Sequence, residues 1–512
     1  MNYGIVRKIL GKILILLAAL MVFPLIVSLI YQEGIKYYLS FIIPILITLG
    51  VGLLLNIKKP KSSKMLVKEG MVIVGLSWVL MSLFGCLPFM FTGEIPNFFD
   101  AFFEMASGFT TTGASIVADS TVGEGIVGGV EGLSHSVLFW RSFSHWIGGM
   151  GVLVFILAII PESKEGSSLH ILKAESSGPQ VGRLVSKMAS SSRILYIIYI
   201  VLTLLEFVFL LLGPDKIFGP DSGMNFFNSL LYTLGTAGTG GFGAHADSLA
   251  SFAPYYQYVI AIFMIIFGIN FTMFYLLLIK NFKEVSKNTE LKAYISIVAV
   301  SVLVISLAIL FDETITYITN FEEAFRHSLF TVASVMSTTG YAISDFNLWP
   351  TLAKCIIITV MCFGGCAGST AGGFKISRVT ILFKSAISNI KKIIRPRKVE
   401  TVNMDSKPLS FEVVSSVQGY FSIYVVVFIA CTLLISIYNP NMSDLTFETS
   451  VTASLSCLNN IGPGLGAVGP MGSYAGFSNF SKFILSLEMI AGRLEILPII
   501  ILFAPRTWMK KI

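Results

Sequence analysis

Apolar runs too long for a soluble core recur from one end of this 512-residue chain to the other. A run of roughly 18 apolar residues or more is long enough to span a bilayer as a helix. Hydrophobic residues make up 54% of the chain and charged residues only 13%, and mean hydropathy is +0.79. That balance excludes an ordinary soluble protein and points to an all-α polytopic membrane protein. Arg7, Lys8 and Lys12 precede an apolar run to Ile30. The run is too long for a typical signal-peptide core and has no small-x-small cleavage site, so it reads as a retained helix. Cys86, Cys355, Cys362, Cys366, Cys431 and Cys457 lie in or beside apolar segments, with neither disulfide nor zinc spacing; they read as buried small hydrophobes.

One short polar element recurs four times between the spans. It reads SGFTTTG at Ser107–Gly113, LGTAGTGGFG around Gly241, ASVMSTTGY around Gly340 and SLSCLNNIGPG around Gly462. Two residues before each glycine stand Thr111, Thr239, Thr338 and Asn460. Six before stand Ser107, Gly235, Ser334 and Ser456, and twelve before stand Ala101, Ser229, Ser328 and Ser450. Four copies in one register predict four-fold pseudo-symmetry, with the glycine loops meeting on an axis as the walls of one ion pathway.

The spans fit that scheme. Two leading helices, about 8–30 and 37–57, come first. Span, half-helix, polar loop, span then repeats four times: 69–91, Asn97–Phe109 and 134–160; 193–212, 224–236 and 254–280; 291–310, 321–335 and 351–386; 411–437, 445–457 and 480–504. The expected architecture is two N-terminal helices (1–68) and four helix–pore-loop–helix units (69–165, 166–283, 284–400, 401–512) around one central pore.

Lysine and arginine give the orientation. Lys58, Lys59, Lys61, Lys64 and Lys68 fall in one loop, and Lys164, Lys173, Arg183 and Lys187 in another. Lys283, Lys287 and Lys292 mark a third, and Lys391, Lys392, Arg395, Arg397, Lys398 and Lys407 a fourth. Arg506, Lys510 and Lys511 end the chain. By the positive-inside rule these loops are cytoplasmic, in a cell (inner) membrane protein whose filter mouths face outside. The net charge of +7 is therefore no nucleic-acid signal. The filter-bearing loops carry Glu94, Asp100, Glu104, Asp119, Glu124, Glu131, Asp247 and Asp345 instead, which predicts an acidic vestibule that concentrates cations; sorting of lysine alone would also leave these loops acidic.

A cation leaving water must have its hydration shell replaced. Backbone carbonyls aimed at an axis do this, and glycine lets the chain turn them inward. Half-helices that stop at mid-membrane add the negative ends of their dipoles. The candidate potassium-binding residues are Thr111, Thr112 and Gly113; Thr239, Gly240 and Gly241; Thr338, Thr339 and Gly340; and Asn460, Ile461 and Gly462.

These four loops, with HWIGGMG at His145–Gly151 and GGCAGSTAGGFK at Gly364–Lys375, resemble the Trk/Ktr/HKT superfamily of potassium transporters. The two leading helices place the resemblance in its TrkH branch. The resemblance implies a homodimer with one pore per subunit, gated by a cytosolic ring of TrkA-like nucleotide-binding subunits. Nucleotide is expected on that partner alone, with potassium as the substrate and no cofactor in this chain. Filter glycines at all four positions imply potassium permeation. The fourth loop departs from T-x-G, reading Asn460-Ile461-Gly462-Pro463, so the symmetry is approximate.

Two features suggest a gate. The stretch 351–386 would reach about 54 Å as a straight helix, against about 30 Å of hydrocarbon. Near its middle lie Gly364, Gly365, Gly368, Ser369, Thr370, Gly372 and Gly373. The spacing of Gly364, Gly368 and Gly372 would also suit a packing face, but excess length and the glycine pairs favour an unwound segment under the filter. The resemblance implies a gating role for it. Arg493 sits inside the last span, where a charge costs about 3 kcal/mol or more. It either faces the pathway as a barrier to cations or pairs with Glu488, Glu495 or Glu206. Arg141 and His145 read as interhelical glue.

An intramembrane enzyme is disfavoured: the chain has no HExxH, no G-x-S-x-G elbow and no paired intramembrane aspartates. It has no G-x-G-x-x-G unit either, so nucleotide sensing must come from another chain. A gated potassium pore and a cation symporter remain as the two transport readings.

Overall fold

The computed structural model describes residues 1–58, 60, 66–117, 129–151, 188–213, 224–313, 315, 317–397, 400–405, 407–437, 439 and 445–508. Six helical stretches among them are long and apolar enough to cross a membrane: Tyr3–Ile30, Ile35–Asn56, Val67–Thr92, Arg193–Leu211, Thr289–Leu310 and Phe411–Ile437. The first two are the leading helices, and the other four each open one of the repeated units. Their exposed residues are those lipid would solvate: Leu204, Val208, Leu303, Leu307, Val426, Ile429 and Leu433 all face outward. A two-residue ribbon, Asn403–Met404 against Lys407–Pro408, is the one sheet among the described residues.

Each opening span leads to a short helix that ends at a filter loop: Phe98–Phe109, Phe226–Gly238, Phe321–Met336 and Phe447–Asn459. Caps explain where three of them start. Asn97, Asn225 and Thr446 accept from backbone N–H groups in the first turn, satisfying donors a helix start leaves open. The residues six and twelve before each glycine are all buried. Small side chains there let neighbouring elements approach closely within the membrane.

The closing spans differ from expectation in two units. The stretch 254–280, read from sequence as one span, is broken into Pro254–Phe267 and Phe271–Leu278 with a 91° bend. The last span breaks after Arg493, and a second helix begins at Leu497. There Glu495 and Ile496 both take positive φ, 60° and 62°, a conformation that β-branched isoleucine adopts only under constraint. The stretch 351–386 is also broken, into Thr351–Met361 and Ile376–Ile394. In the first unit the closing helix is His135–Gly149; residues 152–160 of the expected span 134–160 lie outside the described residues, as do Asp119 and Glu124.

Candidate ion pathway

The four loops share one backbone conformation. Two positions before the glycine, Thr111, Thr239, Thr338 and Asn460 have φ of 54°, 56°, 58° and 55°. The glycines themselves have φ of 78°, 79°, 87° and 102° for Gly113, Gly241, Gly340 and Gly462. Each helix ends in the same pair of bonds. The N–H of Thr112, Gly240, Thr339 and Ile461 donates to the carbonyl of Ser107, Gly235, Ser334 and Ser456, at 2.9, 2.9, 2.8 and 3.0 Å. The N–H of the preceding residue donates to the carbonyl of Gly108, Thr236, Val335 or Cys457. This is a Schellman ending with the left-handed residue just past the helix. Glycine or asparagine is usual at that place; threonine there is strained.

The loops close a ring. A Cβ on Gly113 would fall on the carbonyl oxygen of Gly240, one on Gly241 on that of Thr339, and one on Gly340 on that of Ile461, each far inside contact distance. On Gly462 it would lie 2.8 Å from the carbonyl oxygen of Thr112. Each glycine thus packs against the backbone just before the next glycine, from loop one through loop four and back to one. All twelve residues named from sequence as filter residues lie in this ring or directly beside it.

Side chains stitch the ring together unequally. His145 Nδ1 lies 2.8 Å from the Gly108 carbonyl, and the Phe242 N–H donates to Nε2 at 3.2 Å. The carbonyl accepts, so Nδ1 carries the proton, and the imidazole bridges loops one and two. Asn460 Nδ2 donates to Thr112 Oγ1 at 3.0 Å, joining loop four to loop one. The Gly462 carbonyl accepts from Ser456 and Tyr474, whereas Ser334 donates one residue later, to the Tyr341 carbonyl. The approximate symmetry expected from Asn460 and Pro463 therefore has a concrete form. In HWIGGMG, Gly148 lets its helix reach the Phe109 carbonyl, and Gly492 does the same at the Leu458 carbonyl in the last unit.

Beyond the glycines lies a cavity of about 100 Å³, lined by residues including Gly113, Gly241, Gly340, Gly462, Arg141 and Phe242. No acid is among its described lining residues; Asp119 and Glu124 of the expected acidic vestibule lie outside the described residues. Glu104 is buried and paired with Arg141 at 2.7 Å. It also accepts from Ile116 N and Ser115 Oγ. Asp100 pairs with Lys482 at 2.5 Å, and Glu94, Asp247 and Asp345 accept backbone N–H groups. Glu131 accepts from Ala246 N. Counting acids along the chain says nothing of where they point. Arg141 donates to Ser115 Oγ and stacks 4.3 Å from the Phe242 ring centroid, so the glue expected of it joins the first filter helix, the segment after loop one and loop two. Removing one partner of a buried pair costs about 3–5 kcal/mol. Glu104→Gln should therefore lower the thermal unfolding temperature of the purified protein by several degrees; an unchanged melt would show that the pair contributes nothing.

On the other side of the ring lies the non-helical stretch between Met361 and Ile376. It doubles back on itself, Gly364 N donating to Phe374 O at 3.0 Å. Gly368 and Gly373 take positive φ, 74° and 73°. Thr370, fully buried, is its inner tip. Its carbonyl accepts from Thr239 Oγ1 at 2.9 Å, while Gly372 N donates to Thr338 Oγ1 at 2.7 Å. A Cβ on Gly372 would meet Asn460 and Asn459. Gly364, Gly365, Gly368, Ser369, Thr370, Gly372 and Gly373 thus form one unwound segment against the ring.

Unwound backbone in a membrane needs partners, and sequence reasoning missed the residues that supply them. The break at 268–270 accepts from Cys366 N through the Gly268 carbonyl and gives Phe271 N to the Gly368 carbonyl, at 2.9 and 3.0 Å. Glu290 accepts from Ala367 N and Ser377 N at 2.7 and 3.0 Å, tying the middle of the segment to the first turn of the helix that follows it. Lys375 donates to the Ala371 carbonyl. Asn270, which caps the helix Phe271–Leu278 from inside an apolar run, was the available signal for that break.

Arg493 reaches three carbonyls: Thr370 at 2.7 Å, Gly148 at 2.7 Å and Gly149 at 2.6 Å. It ties the tip of the unwound segment to the C-terminal end of His135–Gly149, where the helix dipole favours a cation. Two of the acids considered for it lie elsewhere. Glu488 accepts from Ser454 at 2.6 Å, and Glu206 is buried on the span Arg193–Leu211. Glu495 pairs with Arg378, whose guanidinium stacks on Tyr420.

Comparison with known proteins agrees along the whole chain. The TrkH family model, described as a cation transport protein, matches residues 35–510. The chain is 31% identical to the Trk system potassium uptake protein TrkH of Salmonella typhimurium, over 99% of this chain and 100% of that protein. It is 30% identical to the protein of the same name in Escherichia coli K12, with the same coverage. The crystal structure of the potassium transporter TrkH from Vibrio parahaemolyticus superposes with a TM-score of 0.84 at 29% identity, covering 99% of this chain and 100% of that one. This chain belongs to the TrkH family of cation transport proteins.

Proposed function

We propose that the chain is the ion-conducting subunit of a gated potassium uptake system in the cell (inner) membrane. The observation that carries the reading is the closed ring, in which four glycines of like conformation each abut the carbonyl just before the next. Such a ring sets backbone oxygens around one axis, where they replace the water lost by a cation, and four helix C-termini add negative potential. The filter residues are Thr111, Thr112, Gly113, Thr239, Gly240, Gly241, Thr338, Thr339, Gly340, Asn460, Ile461 and Gly462. The gate is the segment Gly364–Gly373 together with Arg493. Names of relatives, all Trk system potassium uptake proteins, support potassium as the substrate. The repeated backbone of the four loops supports the division into two leading helices and four pore units.

The remaining parts rest on family resemblance and charge. They are a homodimer with one pore in each subunit, basic loops on the cytoplasmic side, and a soluble TrkA-like ring that binds nucleotide and moves the gate. Reconstituted protein should pass rubidium and potassium down their gradients, with a reversal potential set by potassium alone. A reversal potential that shifts with sodium or proton gradients would instead establish the symport reading.

A further inference from the structure

We infer that Arg141 is a selectivity residue of the outer mouth: its guanidinium, backed by Glu104, admits monovalent cations and turns divalent ones away. This goes beyond the potassium-pore reading and rests on it. The need arises in the ring itself. Inward carbonyls attract a cation in proportion to its charge. A divalent ion of potassium's size, such as barium, would therefore be held more tightly than potassium and would block the path. The twelve filter residues carry no charged side chain to oppose this.

The opposing charge stands just beyond the glycines. Arg141 is 2% exposed, yet it lines the cavity there beside Ser115 and Phe242. Glu104 is 0% exposed and is not among the described lining residues. The pair is thus a dipole with its positive end nearer the cavity. It is also lopsided. Glu104 accepts from Arg141 Nε at 2.8 Å, Ser115 Oγ at 3.0 Å and Ile116 N at 3.0 Å, so donors surround the carboxylate. Arg141 Nη1 is buried without a hydrogen-bond acceptor, so nothing offsets that side of the guanidinium. His245, the other basic residue in the described lining, has Glu131 3.9 Å away.

Coulomb energy scales with charge, so one potential acts twice as strongly on a divalent ion. Occupancy falls exponentially with energy. A field that lowers monovalent occupancy about ten-fold therefore lowers divalent occupancy about a hundred-fold. That squared relation is the signature of charge, and a merely structural pair would not produce it.

The test records rubidium currents through reconstituted full-length protein in a planar bilayer, with barium added to one side at a time. From one side, the unaltered chain should be blocked only at barium concentrations above its half-saturating rubidium concentration. Replacing both partners together avoids leaving a buried charge unpaired. Arg141→Gln with Glu104→Gln should lower the half-blocking barium concentration about a hundred-fold from that side and leave the other side unchanged. Half-saturating rubidium should fall about ten-fold. Arg141→Met with Glu104→Met should do the same, and Arg141→Lys, which keeps the charge, should keep the weak block. Monodisperse neutral pairs with unchanged barium block, or with both ions shifted by one factor, would overturn the inference. If neither neutral pair is monodisperse, the unaltered chain decides. Barium block from both sides below half-saturating rubidium then overturns the inference, and weak block from one side supports it. An unaltered chain that passes no rubidium, whatever the barium, would overturn the pore reading itself and this inference with it.

Discussion

Gly241→Ala is expected to reduce potassium flux about a hundred-fold. The backbone there has φ of 79°, which costs an L-residue about 1–2 kcal/mol. The new methyl would also fall on the carbonyl oxygen of Thr339, and forcing an extra carbon into a packed site costs about 1–3 kcal/mol. The atom that must yield is itself an expected ion ligand, so the distortion enters the conduction barrier directly. A barrier raised by about 3 kcal/mol slows flux roughly a hundred-fold. Gly113 and Gly340 meet equivalent oxygens, and serine at either should also shift potassium over sodium preference. Gly462 is less crowded, its nearest atom at 2.8 Å, so Gly462→Ala should cost about ten-fold by the same scaling. Rubidium uptake per monodisperse protein checks the order. Equal losses at all four positions, or none, would contradict the ring packing.

The second large effect has the opposite sign. Arg493→Ala should raise flux through the closed protein about ten-fold. A unit charge about 6 Å from a passing cation repels it by roughly 3 kcal/mol at an effective dielectric near 20, and water in the pathway lowers that figure. The substitution also removes the bond that holds the Thr370 carbonyl. Shortening the segment Gly364–Gly373 should raise flux as well, and the two changes together should give less than the product of their separate effects, because they guard one constriction. A fall in flux for Arg493→Ala would mean that its bonds to Gly148 and Gly149 are needed to hold the pathway open. That result would remove the barrier role.

The sequence makes the membrane class, the four loops and the unwound segment legible because each has a signal along the chain. Apolar runs give spans, a fixed register of glycine and small residues gives repeats, and the excess length of 351–386 gives a break. The break at 268–270 was missed because 254–280 can cross a bilayer if tilted, so length raised no alarm. Only Asn270 in apolar surroundings marked it. The break after Arg493 had Pro498 as its signal, proline being at home in the first turn of a new helix. The left-handed backbone at Thr111, Thr239 and Thr338 could not be read from residue type, because threonine argues against it; tertiary packing overrides that preference, and only Asn460 hinted at it. Glu290 and the Arg141–Glu104 pair were obscured for another reason. Their partners are backbone groups and side chains far along the chain, and charge counts carry no direction.

The four glycine loops should surround a cation on one axis. Crystals of the protein grown in rubidium or thallium salts, with anomalous scattering recorded at the metal edge, test it most directly. Anomalous density is expected on the axis within the ring formed by Gly113, Gly241, Gly340 and Gly462, lost when sodium replaces the heavier ion. Density confined to other parts of the molecule, with none inside a well-ordered ring, would contradict it.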